Sequence, residues 1–387
     1  MARAEYVPVT GSVLAWARTE AGLTREGLAG RLRVEPAALE AWEQEIEKPT
    51  KTQFKQLTQV LKRPSAIFFA PHPPKPGEVT AAFRRGAVTD PDLNNEYQQL
   101  RSARHYQHIA EWLLRESGRE EHDRLPRASV QSATARHSFA ASIRDALGIS
   151  FAQQCKYTSA SVALKAWKNA VEQAFGVLVF QFQFPNAKAT RGFSLPSTEA
   201  PVVVLNSAFN DQARIFTLFH EVAHLLLDDA KICHGWAPPE SATRNERWAE
   251  AFAAELLLPR TEFVAKFRSR VTAGSHPTPE QIRSLASTTK VSARAVALRC
   301  IELGLAERRL YEEVVEALSG IDYKDSGGGG KGETTPYRRL REVGALFPSL
   351  VLRARDDEII GHYDVLRYLD VSTAQARELE SVLQGQG

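Results

Sequence analysis

The stretch that decides the reading runs Ala213-Arg214-Ile215-Phe216-Thr217-Leu218-Phe219, then His220-Glu221-Val222-Ala223-His224, then Leu225-Leu226-Leu227-Asp228. It holds no Gly or Pro, and its apolar residues recur at helical spacing, which predicts a buried helix. Residues four apart on a helix lie one turn apart on the same face. His220 and His224 are therefore placed to hold one metal ion between two imidazoles. Glu221 projects about 100° from His220, near enough to reach a water at the same ion. Two imidazoles and a carboxylate on an otherwise apolar helix need hydrogen-bond partners if buried, and leaving them unpaired is costly.

His-Glu-x-x-His on a helix is the arrangement in which zinc hydrolases place two ligands and a general base. A catalytic zinc takes three protein ligands and one water. Downstream, Asp228, Asp229, Cys233, His234, Glu240, Glu246 and Glu250 offer the third. Asp228 lies four residues past His224 and points to the next turn, away from the metal. Cys233 and His234 read as a loop near Gly235 and fit on spacing. Asn245 to Pro259 predicts a second helix, with Glu246 and Glu250 on one face and Glu255 about 180° from Glu246. Upstream, Gly176 to Phe182, Arg191 to Leu195 and Pro201 to Asn206 read as strands, a small sheet packed on the His220 helix. Pro at a strand start suits an edge. Pro201 to Asn206 is therefore expected to receive an extended substrate at Val203, Val204 and Asn206. Arg214 and His234 are weak candidates for stabilising an oxyanion.

Composition bounds the rest. At 387 residues the chain predicts two or three domains. Its 43% hydrophobic and 25% charged content are those of a globular protein. No apolar run is long enough to span a membrane, and the N-terminus lacks an apolar signal core. Cys155, Cys233 and Cys300 are odd in number and far apart, which fits a reducing cytoplasm. A net charge of +3 is too mild to demand a nucleic-acid partner.

Residues 10 to 70 read as short helices, with Thr24 as an N-cap, Pro36 opening a helix, and Leu39 and Trp42 facing inward. Pro71 to Gly77 is a Pro-rich break. Gly22 to Ala29, Leu39 to Glu43 and Pro49-Thr50 together resemble the XRE-type helix-turn-helix of phage repressors. The resemblance implies a recognition helix over Glu35 to Glu45, with Arg25, Arg33, Gln44 and Lys48 as candidate DNA contacts. The composition resists tight binding. Glu35, Glu40, Glu43, Glu45 and Glu47 crowd the helix where phosphate wants cations, and only Gln44 is a usual base reader.

Farther on, residues 92 to 116 predict a long helix whose His105 and His108 form a solvated face. Pro279 to Leu303 looks helix-turn-helix-like, with Arg283, Lys290, Arg294 and Arg299, and reads best as a packing module. Residues 324 to 335, KDSGGGGKGETT, are linker-like. Tyr337 to Leu383 is a final helical pair expected to dock elsewhere.

Arg214 to Leu227, RIFTLFHEVAHLLL, followed by Glu246 to Pro259, ERWAEAFAAELLLP, resembles the ImmA/IrrE family of metallopeptidases. The likeness runs from residue 82 to about 310, and residues 176 to 206, with Gly192-Phe193-Ser194, fall in the expected order. A fused XRE-type domain is a known arrangement of that family. The resemblance implies an α+β, mostly helical fold: an N-terminal helix-turn-helix bundle, a zincin-like domain with a small β-sheet, and C-terminal helices. The implied boundaries are 1–75, 76–320, a linker at 321–336, and 337–387. It makes Glu246 the third metal ligand. The family's Asn stands here as Glu250, a carboxylate able to brace His220 or compete for the metal. Zinc is the implied ion, with manganese compatible with the same ligands.

The implied activity is that of a regulatory endopeptidase cutting a repressor in a stress or mobile-element response, and an oligomer is compatible with it. The rival is a non-proteolytic DNA-binding regulator, or an antitoxin bound to a cognate toxin, with a structural or vestigial metal site. Glu221 favours the enzyme, because a structural site needs no base.

Overall fold

The computed structural model describes residues 6–21, 23–61, 63, 65–73, 96–118, 125–129, 133–184, 190–228, 232–234, 243–272, 274–318 and 334–385. The chain forms two compact units, Met1–Ser102 and Ala103–Gly387. The Pro-rich break expected to end the first lies partly outside the described residues, as do the segment Ala82 to Arg85 and nearly all of the Gly-rich linker.

The first unit contains helices Gly11–Glu20, Arg25–Leu32, Pro36–Glu43 and Lys51–Leu61, then a 3-10 turn Ser65–Phe69. Thr24 caps the second helix by accepting from the Gly27 amide, and Arg33 ends it in the left-handed region. Leu14, Leu28, Leu32, Leu39, Trp42, Leu57 and Phe68 form its core. The third helix stops at Glu43, two residues short of the expected end. Glu45 turns left-handed, and its carboxylate accepts from the Gly11 amide at 2.7 Å.

In the second unit four strands form a sheet in the order β1-β3-β2-β4: Leu178–Phe182, Val202–Asn206, Thr190–Leu195 and Ile232–His234. β1 is parallel to β3; β2 runs antiparallel to β3 and to β4. This corrects the expectation for Pro201 to Asn206. β3 is an interior strand, paired on both sides and buried along its whole length. Pro201 fits because it only precedes the ladder, its carbonyl accepting from the Leu178 amide. Val203 and Val204 therefore offer no free edge to a substrate. Asn206 donates to the Thr190 carbonyl and accepts from the Ala208 amide.

The helix Asp211–Leu226 lies on one face of this sheet, capped by Asn210, whose side chain accepts from the Ala213 amide at 2.9 Å. Every residue from Ala213 to Leu226 is buried, which is why its sequence is apolar nearly all round. Trp167, on the helix Ala160–Phe175, meets Phe219 edge-on at 4.9 Å. On the opposite face, Phe180 and Phe182 of β1 meet Tyr106 of the helix Glu96–Glu116. His105 and His108 on that helix are exposed, as expected for a solvated face.

Phe347 joins the same aromatic group, 5.0 Å from Tyr106. The C-terminal segment is therefore part of the second unit and not a separate appendage. Its helices are Thr335–Val343, Leu346–Asp356, His362–Leu369 and Thr373–Gln384. Arg339 fastens them by donating to the Tyr106 hydroxyl and the Leu369 carbonyl. The segment expected as a helical pair is four helices; its apolar residues fill a face offered by β1, in keeping with the expectation that it docks elsewhere, but the sequence did not say where.

Candidate metal centre

Two helices bring the ligands together. His220 and His224 sit one turn apart on Asp211–Leu226, with their Nε2 atoms 3.2 Å from each other. Glu246 comes from the helix Arg244–Leu257. One of its oxygens lies 3.3 Å from His220 Nε2 and the other 3.6 Å from His224 Nε2. Among the described residues, these three form the one group of His, Cys, Asp or Glu side chains spaced to hold a metal ion. Two imidazole nitrogens and a carboxylate are a donor set that suits zinc.

Local chemistry explains the placement. Thr243 caps the Glu246 helix, its side chain accepting from the Glu246 amide at 3.3 Å. Glu246 thus lies in the first turn, where the helix dipole favours an anion, while His224 lies in the last turn of its own helix, where it favours a cation. The far end of the Glu246 helix is held equally firmly. Its last carbonyls, orphaned within the helix, accept from buried side chains: Arg144 to Leu256, Gln154 to Leu257 and Arg299 to Leu258. Arg299, from the helix-turn-helix-like stretch read as a packing module, is 1% exposed and belongs to this scaffold. It also pairs with Glu255, whose other oxygen meets His137 at 2.7 Å.

Electrostatics mark Glu246 as a ligand-ready carboxylate. Burial alone would raise its pKa, but hydrogen bonds and charge from His220 and His224 hold it well below the usual carboxylate range. Glu250, one turn on, is raised by burial and by Glu246, against the pull of His220. It lies in the electrostatic reach of the site without joining the ligand group.

Glu221 is fully buried. Gly192 makes room beside it. A Cβ there would lie 2.6 Å from the Val204 carbonyl oxygen, 2.9 Å from Thr217 and 3.5 Å from the Glu221 side chain. Glycine at this point of β2 lets the strand press against the helix next to the base. The residue stood out in sequence only as part of a Gly-Phe-Ser run; its role is steric and needs the sheet to be seen.

The other candidates disperse. Asp228 turns outward and pairs with Arg127 at 3.1 Å. Arg214 is buried, pairs with Asp211 and donates to Gln181. It therefore holds the start of the helix instead of facing a reacting carbonyl. Asp229 and Glu240 lie outside the described residues, as do the side chains of Cys233 and His234, whose backbone forms β4. No sequence signal marked β4, which is three residues long.

In the first unit, the candidate DNA contacts divide. Arg25 donates to Glu43 at 2.8 Å and to Glu40 at 3.1 Å, so it is committed within the unit. Gln44 donates to Glu40 at 3.3 Å. Arg33 and Lys48 are exposed.

Comparison with known proteins bears on the second unit. No curated protein gave a significant match. Residues 172–300, from the buried Glu172 through both ligand-bearing helices, match the peptidase family described as the IrrE N-terminal-like domain. The match covers a third of the chain and supports a metallopeptidase of the ImmA/IrrE type built around the site just described.

Proposed function

We propose that the protein is a regulatory zinc-dependent endopeptidase that cuts a specific protein substrate, a transcriptional repressor in a stress or mobile-element response. The observation that carries this reading is the convergence of His220, His224 and Glu246 beside a buried Glu221. A purely structural site has no use for a carboxylate at that position.

His220, His224 and Glu246 would hold the metal. When bound, zinc supplies Lewis acidity toward a peptide carbonyl and toward water. Glu221 takes the proton from the attacking water and returns it to the leaving amine. Glu250 holds His220 in place electrostatically, and Gly192 keeps the strand clear of the base. With β3 closed on both sides, an extended substrate has β4 as the edge that follows the His220 helix. The XRE-type unit serves to find the substrate or to touch DNA weakly through Arg33 and Lys48.

The test is incubation of the zinc-loaded protein with candidate repressors encoded beside it, read by intact mass. One cut, abolished by chelation and restored by zinc or manganese, is the expected result. Zinc uptake without cleavage of any of them would favour the non-proteolytic regulator.

A further inference from the structure

The second unit carries a basic face that the metal centre does not use. Residues 260–290 hold six Lys or Arg against two Glu, an excess of four positive charges in a chain whose net charge is +3. The rest of the chain is therefore slightly acidic. Folding draws part of this charge together around Cys155, a half-buried thiol on the helix Phe151–Lys156. Burial raises the pKa of that thiol, and the four charges that act on it most are all cations: Lys266, Arg144, Lys290 and Arg270. Lys266 comes from the helix Arg260–Arg268, with Arg270 just past its end, and Lys290 is the left-handed C-cap of the helix Pro279–Thr289. Lys156, next to Cys155, is exposed.

Arg144 belongs to the interior. It is buried, donates to the Leu256 carbonyl and to Gln154, and lies within electrostatic reach of Glu262 and Asp145. The other four, Lys156, Lys266, Arg270 and Lys290, reach the surface. None of them meets a carboxylate within ion-pair distance among the described residues; the one ion pair printed on this face joins Arg283 to Glu280 at 3.6 Å. Lys290 donates to the Ser287 carbonyl at 2.6 Å and Arg270 to the Ser284 hydroxyl. These neutral partners hold the side chains and leave their charge uncancelled. Arg18 and Arg25 in the first unit, by contrast, both lie against Glu43.

What stands beside the cations selects the partner. A protein partner is held by desolvated aromatic or aliphatic anchors, and a single nucleic-acid strand by aromatic platforms on which its bases stack. None of the large hydrophobic side chains exposed among the described residues lies in 144–157 or 260–290. Exposed Ser284 and Ser287 stand among the cations instead. Lys, Arg and Ser are side chains that contact the phosphate oxygens of a duplex without reading its sequence. Base reading has no candidate here. The helix Ala293–Glu302, which a helix-turn-helix would send into a groove, is buried along most of its length. Exposed cations are stable in water on their own, and their affinity for a duplex comes from the counterions that its phosphates release.

We propose that Lys156, Lys266, Arg270 and Lys290 form a surface on the second unit that binds the phosphate backbone of duplex nucleic acid without regard to sequence. It is separate from the XRE-type unit, whose cations lie elsewhere in the chain. The inference does not depend on peptidase activity, because its test reads binding.

Fluorescence anisotropy of a labelled random-sequence duplex is followed with the full chain at about 50 and 200 mM salt. The variant combines Lys156→Gln, Lys266→Gln and Lys290→Asn, Asn being tolerated at the positive φ of 60° that residue 290 adopts. Its affinity at the lower salt should fall at least tenfold, and its logarithmic salt slope should be shallower by about 0.9 for each lysine removed. Lys156→Gln alone, at an exposed position, should flatten the slope by about 0.9 and covers the case in which the triple variant does not fold. A wild-type chain that binds no duplex overturns the proposal. So does a folded triple variant, or Lys156→Gln, with the affinity and slope of wild type. Tighter binding of a single strand of equal length overturns the duplex assignment. Displacement of the duplex by poly-glutamate at equal charge concentration marks a surface for acidic proteins and overturns the nucleic-acid assignment.

Discussion

Two helices carry motifs that resemble functional elements, and they treat charge in opposite ways. On Asp211–Leu226 the polar side chains converge: His220, His224 and, from across, Glu246 point at one another. On Pro36–Glu43 they cancel: Glu43 binds Arg18 through both oxygens, at 2.5 and 3.2 Å, and also binds Arg25. Like donors aimed at one point call for a cation that the chain does not itself provide. Opposite charges already in contact call for nothing. The comparison separates a site from a scaffold more sharply than either motif does alone.

The largest effect expected from breaking the first helix is chemical. Glu221→Gln should keep its metal, measured by native mass spectrometry, while cleavage falls about 10²–10⁴-fold, the usual weight of general acid–base catalysis. Turnover equal to wild type would remove Glu221 from the mechanism. The convergence itself is tested next. Glu246→Gln should lose metal affinity by well over the 10–100-fold typical of an outer-shell partner, and Glu250→Gln should fall within that range or below it. The reverse order would exchange their roles.

Much of this site was legible in the sequence because its spacing is local. An i, i+4 pair needs only a helix, and Ala213 to Leu226 announces one. Glu246 could be placed on a helix with the correct face, but only the resemblance singled it out from Glu250, Cys233 and His234. What remained hidden was nonlocal. The interior position of β3 depends on β1 pairing with it in parallel, across a stretch that includes β2. The pattern of Pro201 to Asn206 is the same for an edge or an interior strand. The steric role of Gly192 and the docking of Arg339 and Phe347 likewise arise from segments far apart in sequence. In the first unit, the glutamates led to the expectation of weak DNA binding, but their ion pairs with Arg18 and Arg25 required the packed helices.

The scaffold of the metal helix yields a smaller, pH-dependent effect. Burial would raise the pKa of Glu255, but the charge and hydrogen bonds of Arg299, with help from His137 and the Arg260 amide, hold it below the ordinary value. A carboxylate depressed in the folded state adds stability that is fully present above its unfolded pKa of about 4.3. That contribution is lost as pH falls from there through the folded value. Glu255→Ala removes one of the two carboxylates on Arg299, leaving Glu302 at 2.8 Å, and should cost about 1.5–3 kcal/mol at neutral pH, the usual weight of a hydrogen bond to a charged group, read by urea unfolding. Much of this difference from wild type should vanish as the pH falls through the lowered folded value. A constant difference across the range would mean that Glu255 acts through packing alone.

The smallest expected effect lies on the first helix and bears most directly on the comparison. Glu43→Gln removes the charge that holds Arg18 and Arg25, and Gln cannot accept from both guanidinium groups through two charged oxygens. Arg18 also donates to the Leu23 carbonyl at 2.9 Å, so it stays anchored. Arg25 keeps Glu40 and, with its side chain 41% exposed, becomes freer to meet phosphate. The unit should lose about 1–2 kcal/mol of stability. Its affinity for random duplex DNA should rise several-fold at low salt, with the logarithmic salt slope steeper by about 0.9 for the one added contact. Fluorescence anisotropy at two salt concentrations measures both. If these glutamates are scaffold, removing one improves DNA binding. Tight binding by wild type that Glu43→Gln weakens would give the opposite answer: the ion pairs would be orienting a working recognition helix, and the contrast between the two helices would fail.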